Sequence, residues 1–189
     1  MLVDHSREKL LNVIVYFAQK TKNCAKTKLL KLLFFLDFEH FRETGRSVTG
    51  LKYFAWDLGP VPVELYEEMT EKPKPDFLEK VNIKYKNEYG YERPTEKVVA
   101  CVEFDPSHFS RRELRIMERL AKENYDKSGT SLADLTHEEN SVWSLVWNDE
   151  KGKYKEIPYE LSLRSLTDEE QEQVKTLMQE SKEFRENFA

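Results

Sequence analysis

Histidine, cysteine, lysine and carboxylate side chains are the material from which this chain could build a reactive centre, and their spacing assembles no known one. His5, His40, His108 and His137 share no metal-ligand spacing with one another or with Cys24 and Cys101. There is no glycine-rich phosphate loop, nucleophile elbow, zinc-protease helix motif or dinucleotide fingerprint. The 35 carboxylates follow from solvated helices and need no catalytic pair. His40, inside an apolar run, and His137, at the expected N1 position of a short helix, read as structural residues. The expectation is therefore a protein that is not an enzyme, with no cofactor and no metal.

Lys31 is the exception, because it falls within LLKLLFFL, a stretch too apolar to leave an exposed side. Desolvating an ammonium is costly unless it is paired or reaches water. Two readings follow: a lysine that snorkels from the helix edge, or one held by a carboxylate or backbone carbonyl beside an aromatic corner.

That corner is the run Leu51–Met69, LKYFAWDLGPVPVELYEEM. A strand is expected from about Leu51 to Asp57, with Phe54 and Trp56 on one face and Tyr53 and Ala55 on the other. One face must pack on the core, which leaves the other for a partner. Gly59 allows positive φ or close backbone approach, and Pro60 is pre-set for the first turn of a helix running to about Thr70.

The elements that must position this corner are mostly helical. Residues 5–20 carry apolar residues at three-to-four spacing, and Thr27–Thr44 is apolar nearly all round, as a central buried helix would be. Gly45 is its expected stop. KPKP at 72–75 breaks the third helix and opens a loop. Two alternating runs, Val81–Tyr85 and Val98–Val102, predict an antiparallel strand pair joined through roughly Asn87–Glu96. Capping boxes are expected at Ser110–Glu113, Thr136–Glu139 and Thr167–Glu170. The first opens a helix stopping near Gly129, the second a helix through Val142, Trp143, Val146 and Trp147, and the third a thinly apolar terminal helix. A short helix is expected from Ser131, and residues 149–165 read as irregular, with extended pieces around Tyr154 and Tyr159.

At 189 residues with net charge −5, the chain fits one folded domain with an appendage. The acidic balance argues against non-specific nucleic-acid binding, although Lys20, Lys22, Lys26, Lys28 and Lys31 lie close together in sequence. Two widely spaced cysteines imply a reducing compartment, and the absence of a long apolar run argues against a membrane span. A soluble, cytoplasmic protein is expected.

The motifs together resemble the Panacea domain, also called SocA-like. The family's Leu-x-Lys-Leu-Leu-aromatic helix corresponds to Leu29, Lys31, Leu32, Leu33 and Phe34. Its Ala-Trp-x-x-Gly-Pro-Val segment, leading to Leu-Tyr, corresponds to Ala55, Trp56, Gly59, Pro60, Val61, Leu65 and Tyr66. A later Leu-Ser-x-Leu-Thr-His and tryptophan element corresponds to Leu132, Leu135, Thr136, His137 and Trp143, with Ala133 where serine is common. Phe34 in place of the frequent tyrosine, and Leu30 where glutamine is common, are departures.

The resemblance implies an antitoxin of the kind found in prophages and mobile elements. Such a protein neutralises a cognate toxin, encoded next to it, by direct binding, in some cases as an adaptor presenting the toxin to a protease. The alternatives are a nucleic-acid-binding regulator of its own operon and a small enzyme without a recognisable motif. The expected fold is α+β, mostly α, around the buried helix with a small antiparallel β-sheet. Its domain spans 1–150, with a strand-pair insertion at about 76–105, followed by a C-terminal extension at 151–189. The candidate partner-binding or motif residues are Lys31, Phe35, Phe54, Trp56, Gly59, Pro60, Val61, Tyr66, His137 and Trp143.

Overall fold

Helix α2 (Lys26–Thr44) has no side free for solvent along most of its length, and the rest of the chain is arranged to cover it. The computed structural model describes residues 6–87 and 94–188. Around α2 lie α1 (Ser6–Lys20), α5 (Arg111–Glu123), α6 (Gly129–Thr136) and the end of α8 (Asp168–Phe188) nearest α2. Leu29, Leu32, Leu33 and Leu36 are completely buried, as are Leu11, Ile14 and Phe17 of α1. The helix stops where expected: Gly45 adopts φ +69° and donates its N–H to Phe41 O at 2.8 Å.

Two small antiparallel sheets complete a mostly helical α+β fold. One is the hairpin β1 (Phe54–Trp56) and β2 (Gly59–Val61); the other pairs β3 (Val81–Lys86) with β4 (Thr95–Ala100). The second pair lies as expected but shifted, with β4 ending at Ala100 and Cys101 donating its N–H to Lys80 O instead. Most of the connection between them falls outside the described residues.

Several local expectations are corrected. The strand before the corner begins at Phe54, not Leu51, because the Tyr53 carbonyl accepts from Ile157 and the Leu51 carbonyl from the Tyr159 hydroxyl. Pro60 does not start a helix: it lies inside β2, and α3 (Val63–Thr70) begins after Pro62. Pro75 of the KPKP run is itself the first residue of a helix, α4 (Pro75–Lys80).

Helix α5 ends at Glu123, six residues before Gly129, where the Asn124 side chain donates to Leu120 O at 2.9 Å. Gly129 instead opens α6, capped by Ser128. Thr136 forms no capping box, because its hydroxyl donates back to Ala133 O and His137 caps the C-terminus of α6. Ser141 caps the following helix, α7 (Val142–Trp147). The capping boxes at Ser110 and Thr167 are present with both reciprocal bonds.

No helix among the described residues is long and apolar enough to cross a membrane.

Candidate functional site

The hairpin register places Phe54 opposite Val61, Ala55 opposite Pro60 and Trp56 opposite Gly59. Ala55 turns its backbone away from β2, donating to Lys155 O at 2.9 Å and accepting from Tyr154 N at 2.7 Å. The position facing it therefore needs no donor, and proline, which has none, fills it without loss. The Pro60 carbonyl points out of the hairpin in the same way. It accepts from Lys31 Nζ at 2.9 Å.

Lys31 is 1% exposed, so the carbonyl-held reading is the one the structure selects. Burial, with no carboxylate to offset it, brings its ammonium pKa down to about 7. Gly59 sits immediately beside it with φ +94°. A Cβ on Gly59 would stand 2.5 Å from Thr136 Oγ1, 2.8 Å from Lys31 Nζ and 3.3 Å from His137 Nε2. Both the backbone conformation and the space thus require glycine.

His137 Nε2 is buried with no hydrogen-bond partner among the described residues. Its pKa is lowered, chiefly by burial and then by the charge of Lys31. The ring stacks on Trp143 with centroids 4.0 Å apart, and Trp143 stacks in turn on Trp147. Trp143 Nε1 donates to Trp56 O at 3.0 Å. A chain of specific contacts thereby ties α2, β2, α6, α7 and β1 together.

The candidate residues divide into groups. Lys31, Gly59, Pro60, His137 and Trp143 converge on this interior junction. Lys31 also lines a cavity of about 360 Å³ with Trp56, Val61 and Tyr66, where Tyr154 and Lys26 join them. The Trp56 ring lies 5.2 Å from Tyr66 and 5.9 Å from Tyr154, and Lys26 Nζ sits 4.7 Å over Tyr66 while pairing with Glu96. Phe35 is elsewhere, in a larger groove, and Phe54 lines neither cavity. The parity argument holds: Tyr53 and Ala55 are fully buried, while Phe54 and Trp56 are half-buried. At the hairpin tip Leu58 is 70% exposed.

Sequence reasoning passed over Asp37, which is completely buried on α2. It accepts from Val48 N and Thr49 N, both at 2.8 Å, from Tyr53 Oη at 2.7 Å, and from the Thr49 hydroxyl. Burial raises its pKa against the opposing pull of these donors. Its signal was available, since Asp37 interrupts LLFFLDFEHF just as Lys31 interrupts the preceding turns. Tyr159, also unforeseen, stacks on Phe38 at 4.5 Å and on Phe41 at 5.2 Å.

Chemically, the junction is a fastening: one buried cation on one carbonyl, beside an aromatic stack. It holds the half-buried Trp56 and the exposed hairpin tip in a fixed attitude. Among the described residues no cluster of three His, Cys, Asp or Glu is placed to hold a metal ion. No curated protein and no solved structure matches the chain. A family model described as antitoxin SocA-like, Panacea domain, matches residues 29–144, from the lysine-bearing turn of α2 through the His137–Trp143 stack, and the chain belongs to that family.

Proposed function

We propose that this chain is an antitoxin that neutralises a cognate protein toxin by direct binding, in the cytoplasm, with the toxin encoded beside it. Family membership supports an antitoxin role in general. The observation that carries the finer reading is the locked corner: Trp56, Tyr66 and Tyr154 gather around a small cavity beneath the exposed Leu58. Aromatic anchors held rigidly at a surface cavity are what protein partners use as binding hot spots, because little side-chain entropy remains to be lost.

In this reading Trp56 and Tyr66 meet the toxin over the buried Val61, while Lys31, Gly59, Pro60, His137 and Trp143 keep them in place. Residues 1–150 form the antitoxin domain, and the extension from 151 braces it through the contacts of Tyr154 and Lys155 with Ala55. Handing the captured toxin to a protease is a further step that the same binding would permit.

The test is co-expression of the tagged chain with its neighbouring open reading frames, scored by co-purification and colony growth. A stoichiometric partner that is lethal alone and harmless in the pair is the expected result. Absence of both a partner and toxicity would end the proposal.

A further inference from the structure

A second, larger concavity is separate from the aromatic corner. It is a groove of about 670 Å³ between α2, α5, the α6–α7 segment and the 3₁₀ segment Tyr159–Ser165. Phe34, Phe35 and Phe38 of α2 form its floor, with Leu120, Leu135 and Leu145 on the walls. Leu135 is 39% exposed there, and Phe35 and Leu145 are half-buried. The volume lies in the range of functional pockets.

Two properties of the groove define what fits it. No strand of either sheet lines it, so an extended segment would find no sheet edge to pair with. An incoming segment must satisfy its own backbone, as a helix does, and offer apolar anchors. Charge supplies the second property. Arg119 is taken by Glu39 and Glu123, whereas the exposed Arg42, Lys127 and Arg164 have no ion partner among the described residues. Over the whole lining these three and Arg119 stand against Glu39, Glu123 and Glu138, four cations to three carboxylates. The rim is therefore locally basic on a chain of net charge −5.

We propose that this groove receives an amphipathic helix of the toxin, whose apolar row seats on the phenylalanine floor and whose acidic flanks meet Arg42, Lys127 and Arg164. The inference rests on the toxin-binding reading above and adds the chemistry of the segment that is bound. Complementary charge at such a rim sets orientation and excludes wrong partners more than it adds affinity.

Two variants test it: Leu135→Glu, which places a carboxylate against the apolar row, and the triple reversal Arg42→Glu, Lys127→Glu, Arg164→Glu. All four positions are exposed, so unchanged thermal melts will show that both variants fold. Each is scored for capture of the co-expressed toxin and for binding of two labelled helical peptides, one with a leucine row flanked by glutamates and its isomer flanked by lysines. Toxin capture should fall at least about tenfold in both variants, and the acidic peptide should bind wild type about tenfold more tightly than the basic one. Undiminished capture by both folded variants would overturn the groove while leaving the antitoxin reading intact. If wild type captures no toxin, that reading fails, and the peptides alone decide the groove. Acid-selective binding lost in Leu135→Glu supports it; equal or absent binding overturns it.

Discussion

Among the charged side chains that helix α2 buries, Lys31 and Asp37 lie about 9 Å apart along its axis and are treated in opposite ways. Asp37 is saturated, with two backbone N–H groups and two hydroxyls converging on its oxygens. Lys31 has three protons to donate and one carbonyl acceptor, with an unpartnered imidazole nitrogen nearby. A saturated buried charge is a structural fastener whose removal strands every donor around it. An under-satisfied one keeps its burial penalty, which its surroundings tolerate only for what it positions. The contrast separates the end of α2 that holds the core from the end that positions a surface.

The sharpest way to break the comparison is Asp37→Ala. It strands four donors in the core and should cost ~3–5 kcal/mol in chemical denaturation; a loss below about 1 kcal/mol would mean the saturated end is not the fastener. Gly59→Ala comes next. It combines a positive φ with a Cβ 2.5 Å from Thr136 Oγ1 and 2.8 Å from Lys31 Nζ, and should cost ~2–4 kcal/mol by calorimetry.

The two charges should also respond oppositely to pH. Lys31 has a depressed folded pKa, so above about 7 the unfolded chain binds the extra proton and stability rises with pH. Wild type should gain about 2 kcal/mol relative to Lys31→Met between pH 7 and 9, measured by paired denaturation curves. Asp37, with its pKa raised, contributes the reverse slope as pH climbs above the ordinary carboxylate range. Parallel pH profiles for wild type and Lys31→Met would show that the lysine is not desolvated.

The smallest effect on stability belongs to the presented surface. Trp56 is half-buried, and its carbonyl, not its ring, holds Trp143. Trp56→Ala should therefore cost only ~1–2 kcal/mol while toxin capture falls sharply. A loss of ~3–5 kcal/mol, the cost of emptying a core site, would move Trp56 from the surface to the interior.

Much of this is legible in the sequence. An apolar helical run interrupted by Lys31, the alternation around Trp56 and the two true capping boxes are local signals, written in side-chain period and in residues three apart. The errors share a cause, which is that tertiary partners chose between locally equal options. Pro60 suits a helix start by its φ, yet it serves in a strand because Ala55 is already paired with residues a hundred positions later. Thr136 and Glu139 have capping-box spacing, but Thr136 is needed at the end of α6 against Gly59. Neither the groove nor the convergence of His137 on Lys31 could be read, since both depend on how helices distant in sequence cross.

One further consequence follows from the neighbours of the hairpin. β1 has residues 154–157 along its outer side, and β2 presents a proline there whose carbonyl is committed to Lys31. No strand edge is left open, so a partner cannot recruit this hairpin by β-augmentation. On the proposed toxin-binding reading, recognition at the corner passes through side chains alone. Specificity there can change one residue at a time, at Trp56 or Leu58, without disturbing the backbone that carries them.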